Sequence, residues 1–350
     1  MNEYFSLTTK DSSMHFFRAF ITTVAMLTTA SLAYAWGGVG HIAITELALD
    51  AASTEMPEWI NNALFRERVD FMCNEPDRRR GAGLATLNHE NNPEHYLDIE
   101  QLGSDFDLVY EDLPPLRYDF VLAMGEAMQR HPERFGQEPP DKAGIDWMPG
   151  FLPYAMNESY VKLVAAFRMC RILESFAKDD PLRASELVQA RAEAAYHMGV
   201  LSHWVGDAAQ PLHTTIHHHG WLGDNPEGYT TDGRIHSYID SGVLKTQHLN
   251  ADTLVGVLAI EPIVVNDTSD PWPEILAHIE RSHELVEPLY RLERDNQLDT
   301  DAGRAFILKR LGDGAGTLAG LYMAAWEQSE VDDHDIAMYL KYEAPSPNTP

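Results

Sequence analysis

The sequence predicts an all-α fold, a single multi-helix domain, and three observations carry that expectation. Apolar residues recur at helical spacing, with Tyr160, Val164, Phe167, Ile172 and Phe176 following one face of the segment 157–177. The breaks fall where helices stop and restart: Asp179-Asp180-Pro181 divides that segment from a second one, which Pro211 ends. Strand patterns are weak and scattered, and the β-prone run from Leu254 to Val265 has no partner with which to build a sheet.

In chain order, residues 1–35 read as a secretory signal peptide. Arg18 precedes an apolar run, and Ala33-Tyr34-Ala35 has the small-residue pattern of a cleavage site, with Met14 an alternative start. Cleavage after Ala35 would release a secreted or periplasmic protein beginning at Trp36. Residues 36–340 then form the domain. Within it, 103–150 is rich in proline and charge with little periodicity and reads as a long loop insertion. A helix capped by Asn157 covers 157–177, a second runs from about Pro181 to Gln210, and two more cover 273–296 and 301–329. Residues 341–350, which end the chain in EAPSPNTP, read as a disordered tail.

Composition limits the function classes. A net charge of −28 over 350 residues opposes broad adhesion to nucleic acid or to anionic membrane, since both are polyanions. It leaves either open as a substrate of a local cationic site. Cys73 and Cys170 are the only cysteines; they could pair in an oxidising compartment, but are too few for a disulfide scaffold. After residue 35 no apolar run is long enough to span a bilayer.

The chemistry concentrates in 197–213, HMGVLSHWVGDAAQPLH. His203 and Asp207 stand four apart on a helix, so both leave the same face, where imidazole and carboxylate can share a divalent cation. Pro211 ends the helix and lets His213 turn back toward the same pocket. His236 and Asp240 repeat the four-residue spacing, and Asp77, His95 and His41 stand upstream. Any one pair is more often a solvated helix face or a buried histidine satisfied by a neighbouring acid. Two such pairs, a proline-flanked histidine and a terminal Trp36 with His41 five residues on favour metal binding jointly. The run His217-His218-His219 reads as a mobile loop and is left outside the ligand set.

These motifs occur in a telling order: W-G-x-x-G-H after the cleavage site, P-D-R-R-R, H-Y-x-D, H-x-x-x-D-x-x-Q-P-L-H and I-H-x-x-x-D. Up to about residue 245 the chain resembles the superfamily that joins zinc-dependent phospholipases C with single-strand-specific zinc nucleases. The resemblance implies an all-helical fold with three zinc ions in a cleft. One ion would be held by Asp77, His95, His203 and Asp207. A second would take the free amine and carbonyl of Trp36, with His41, and share Asp207 as a bridge. The third would take His213, His236 and Asp240. It also implies a metal-activated water attacking phosphorus, with Asp77 and Asp207 in the catalytic set. Arg80 occupies the position of a transition-state arginine, though one of three solvated arginines is as good a reading. Tyr96 and Asp98 stand where the nuclease branch stacks and hydrogen-bonds a base, but packing beside a metal histidine accounts for the aromatic equally well.

The spacing from His213 to His236 and the Asp at 240 suit the nucleases, whereas HHHGWLGDNPEGYTTDG replaces their glycine- and asparagine-rich segment. The runs EPDRRR, HYLDIE and QPLHTT are most similar to bacterial members of the phospholipase C branch. The first expectation is therefore a phospholipase-C-like phosphodiesterase acting on a phospholipid head group. A nuclease or 3'-nucleotidase acting on single-stranded nucleic acid, without a stable nucleic-acid complex, is the alternative. A non-catalytic zinc-binding exported protein is the third.

Overall fold

In the computed structural model, which describes residues 36–135 and 147–343, every regular element is helical. The sole β pairing among the described residues is an isolated antiparallel bridge between Leu97 and Gly150. The expected signal peptide and most of the expected tail lie outside the described residues. The first half of the chain contains α1 (Gly38–Ala52), α2 (Ala63–Met72), α3 (Glu75–Gly81), α4 (Ala85–Asn91), α5 (Ile99–Phe106), α6 (Arg117–Arg130) and α7 (Leu152–Phe176). Then come α8 (Pro181–Ala209), α9 (Arg234–Ser237), α10 (Val243–Thr246), α11 (Ala251–Leu254), α12 (Trp272–His283), α13 (Val286–Arg294), α14 (Asp301–Gln328) and α15 (Asp333–Tyr342).

Helix α8 is the axis of the molecule, packed by α7, α2, α14 and α1. Every residue from Met198 to Ala209 is buried, so this half is enclosed on all sides rather than amphipathic. That burial takes His203 and Asp207 out of water together. Close approach of α2 depends on Gly199: a Cβ there would lie 2.6 Å from Met72 Cβ and 2.7 Å from the Val69 carbonyl oxygen. Alanine normally stabilises a helix interior relative to glycine by about 1 kcal/mol. Here Gly199→Ala is expected to lower stability by roughly 1–3 kcal/mol, because the methyl group forces the helices apart. A fall in the urea midpoint with an unchanged slope checks this, and a raised midpoint would show that the contact relaxes.

Several sequence expectations shift. The helix expected from Asn157 begins at Leu152, with Pro153 in its first turn, where its missing N–H costs nothing; Asn157 lies inside it. The stretch expected to be a long loop insertion contains the 14-residue α6 after Pro114-Pro115, with Phe120, Met124 and Ala127 buried at helical spacing. The single helix over 273–296 is two, α12 and α13, and Pro288 in the first turn of α13 accounts for the break, since it has no N–H with which to continue the ladder of α12. Helix α15, opened by an Asp332 capping box, carries order two residues into the expected tail. The run 254–265 forms no strand; its Ile263 N–H donates to the Gly316 carbonyl of α14 instead (3.0 Å). Cys73 and Cys170 are free and buried, and burial pushes both thiols up to about 12. No helix among the described residues is long and apolar enough to cross a membrane.

Candidate metal centre

The interior of the molecule gathers three groups of side chains that could hold metal ions: His41, Asp77 and His203; His95, His203 and Asp207; and His213, His236 and Asp240. All eight distinct residues are buried. His203 is common to the first two groups, and Asp207, a member of the second, also reaches His41 of the first. Asp207 Oδ1 lies 3.3 Å from His41 Nε2, while Oδ2 lies 2.9 Å from His95 Nδ1 and 3.4 Å from His203 Nε2. One carboxylate thus offers an oxygen to each side, the disposition of a bridging ligand. The His41 and His203 rings stack at 4.0 Å, so α1 is keyed onto the same turn of α8.

The third group assembles around the turn after α8. His213 follows Pro211, and its Nδ1–H donates to the His95 carbonyl oxygen (2.6 Å), which turns Nε2 toward His236 Nε2 at 3.0 Å. His236 Nε2 lies 3.3 Å from Asp240 Oδ2. The backbone widens into a π turn at Tyr238–Gly242, yet keeps the pair together; such turns recur at functional sites. Gln210 donates from Nε2 to Asp240 Oδ1 (2.8 Å) and accepts the Leu212 N–H on Oε1 (2.6 Å), fixing both the turn and the carboxylate. Sequence reading missed that role, although Gln210 stands at the end of the helix beside Pro211.

An extended segment, 96–98, connects the groups. Leu97 N donates to the His213 carbonyl (2.9 Å), Ile99 N to the Thr214 carbonyl (3.3 Å) and Asp98 N to the Pro149 carbonyl (2.6 Å). Gly150 makes this possible: it adopts φ +105°, and a Cβ there would sit 2.0 Å from the Tyr96 carbonyl oxygen. Beside the third group opens a cavity of about 400 Å3, lined by Arg80, Tyr96, Asp98, His213, His218 and His236 among others. Of the three arginines in EPDRRR, Arg78 pairs with Glu75 and Arg79 with Tyr196. Arg80 alone lines this cavity, with its Nε buried and lacking a hydrogen-bond partner. Tyr96 and Asp98 occupy its wall.

Two residues left out of the ligand set also face it. The run 217–219 is a 3-10 turn rather than a mobile loop, because Glu100 accepts hydrogen bonds from Thr215 Oγ1 (2.6 Å) and Ile216 N (3.1 Å). That turn sets His218 and His219 on the cavity wall, with His218 Nδ1 3.7 Å from Asp98 Oδ1, while His217 stacks on Trp221. Trp36 is fully buried, and the Gly37 N–H beside it donates to the Asp240 carbonyl oxygen at 2.9 Å. The first residue of the described chain therefore sits against the third group's own segment.

Electrostatics fit a cation. Burial pushes the Asp207 and Asp240 carboxyls well above the usual carboxylate range and Asp77 up to about 7. Burial likewise holds His95, His203 and His236 well below the ordinary imidazole value and His213 at about 3. Neutral imidazole is the form that ligates a metal. Among the described residues none of the three carboxylates forms an ion pair with Lys or Arg, and burial outweighs the attraction of Arg80 at each of them. The donor separations of 2.9 to 3.4 Å within the second and third groups match the edges of a tetrahedron, about 3.3 Å for bonds near 2.0 Å.

Comparison with protein-family models, with curated proteins and with solved structures finds no match. The functional reading therefore rests on the residues themselves.

Proposed function

We propose that this chain is an exported zinc-dependent phosphodiester hydrolase of the phospholipase C kind, processed to Trp36 and loaded with three zinc ions. The carrying observation is Asp207, which turns one carboxylate oxygen to His41 and the other to His95 and His203, one helical turn before the residues that lead to His213. On this reading Asp77, His95, His203 and Asp207 hold one ion, Trp36, His41 and Asp207 a second, and His213, His236 and Asp240 the third. Bound zinc would supply Lewis acidity and a water acidified to near-neutral pH. The protein's part is positioning. Asp207 and Asp77 orient the ion pair, and Arg80, on the cavity wall, offsets the negative charge that grows on a phosphoryl group. Two imidazoles are aimed by backbone carbonyls, His203 by Cys73 (2.7 Å) and His213 by His95, which fixes the ring nitrogen that faces the ion.

A single-strand nuclease is the second reading, favoured by the Tyr96 ring and the Asp98 carboxylate on the cavity wall, where a base could stack and hydrogen-bond. A zinc-storing protein is disfavoured by the same cavity, since a storage site is closed whereas catalysis needs an open position. Elemental analysis of the processed protein is expected to give roughly three zinc ions per chain. The zinc-loaded protein is then assayed on phosphatidylcholine, single-stranded DNA, RNA and bis-nitrophenyl phosphate. Hydrolysis of phosphatidylcholine supports the first reading and selective hydrolysis of single strands the second. One zinc or none, or no turnover of any substrate, would overturn both.

A further inference from the structure

Asn91 ends α4 fully enclosed, 1 % exposed, and belongs to no ligand group. Its Nδ2 lies 3.0 Å from the Pro76 carbonyl oxygen, next to Asp77, and 3.0 Å from His95 Nε2, the ring nitrogen facing away from Asp207. Its Oδ1 is buried with no hydrogen-bond partner. The amide thus touches the turn that carries one ligand and the outer edge of a second, and holds an unused acceptor between them.

The hydrogen count decides what the amide does. With His95 Nδ1–H donating to Asp207 Oδ2 at 2.9 Å, Nε2 carries a lone pair and accepts from Asn91 Nδ2. A metal ion on Nδ1 would reverse this: the neutral ring would carry its proton on Nε2, and Nε2–H would then meet the Nδ2 donor head on. Rotation of the amide by half a turn lets Oδ1 accept the Nε2–H, in exchange for the hydrogen bond that Nδ2 gives the Pro76 carbonyl. We propose that Asn91 is a positioning residue with two settings, one donating to the His95 tautomer of the empty centre and one accepting from the tautomer that binds metal. The proposal rests on the metal-centre reading above. It adds that an outer amide, rather than a ligand, registers occupancy.

The test uses the whole processed chain, with zinc alone as the probe. Long-range proton–nitrogen correlation spectra of wild type are expected to place the His95 proton on Nδ1 without zinc and on Nε2 with it. The same tautomer in both states would overturn the proposal. Asn91→Leu is expected to release one zinc of the set about 10- to 100-fold more readily to a competing chelator, leaving the others as in wild type. Asn91→Asp, which loses the Pro76 bond but accepts from Nε2–H, is expected to hold zinc at least as tightly as wild type. Equal loosening in both variants would mean that Asn91 only braces the Pro76 turn, and unchanged affinity in Asn91→Leu would remove it from the site. If Asn91→Leu does not fold, Asn91→Ser replaces it. A wild type that binds no zinc would sink the metal-centre reading itself, an outcome distinct from all of these.

Discussion

Asp207→Asn is expected to abolish hydrolysis and to empty more than one metal position. The physical reason is the division of labour between the two carboxylate oxygens, Oδ1 toward His41 and Oδ2 toward His95 and His203. An amide keeps one oxygen as a weak ligand, offers a nitrogen that does not ligate, and removes the negative charge that balances two dications. The loss of Lewis acidity at a bridged pair amounts to several kcal/mol of barrier, a fall in kcat of about 1000-fold or more. Stability should move the other way or not at all. Burial raises the Asp207 carboxyl well above its ordinary value, so in the metal-free protein the ionised group is a burden, which a neutral amide of the same shape relieves. Metal-free Asp207→Asn should therefore melt at or above metal-free wild type, and the zinc-dependent rise in Tm should shrink. A variant that keeps full zinc content and full turnover would show that Asp207 is not at the metal centre.

How much of this site could be read from the sequence depended on the range of the interaction. His203, Asp207, His236 and Asp240 were legible because four-residue spacing on a helix puts side chains together whatever the rest of the chain does. It survived even where the helix opens into a π turn. His213 was legible through Pro211. The helices α8 and α14 were legible from their breaks, whereas α6 was hidden because charge and Pro114-Pro115 mask a short apolar stripe. Asn91 and Gln210 were not legible as positioning residues, because each acts on a ligand brought to it by tertiary contacts. The nearness of His218 to Asp98 has no sequence signal for the same reason: it depends on Glu100 tying down Thr215 and on the backbone bonds between 97–99 and 213–214.

The amino terminus offers the other large effect. On the proposed reading the Trp36 amine and carbonyl hold one ion together with His41 and Asp207, so the chain becomes competent only when residues before Trp36 are removed. The structure supports the placement: Trp36 is fully buried, Gly37 N donates to the Asp240 carbonyl, and His41 is joined to Asp207 from the first turns of α1. A chain beginning Met-Trp36 turns the ligating amine into an amide, a poor donor to zinc, and leaves a residue to be fitted beside buried atoms. It is expected to carry one zinc fewer and to lose about 100-fold or more in turnover, since one partner of the bridged pair is gone. The helices should persist, because α8 and its neighbours keep their packing. Trp36→Phe with a free terminus should be far milder, since the ligating atoms belong to the backbone. Acidification should weaken both wild type and Trp36→Phe, because amine and imidazole must be deprotonated to bind metal. Zinc content and specific activity of the processed and Met-extended chains, measured side by side, check the argument. Equal values would take Trp36 out of the site and leave a centre made of His and Asp side chains alone.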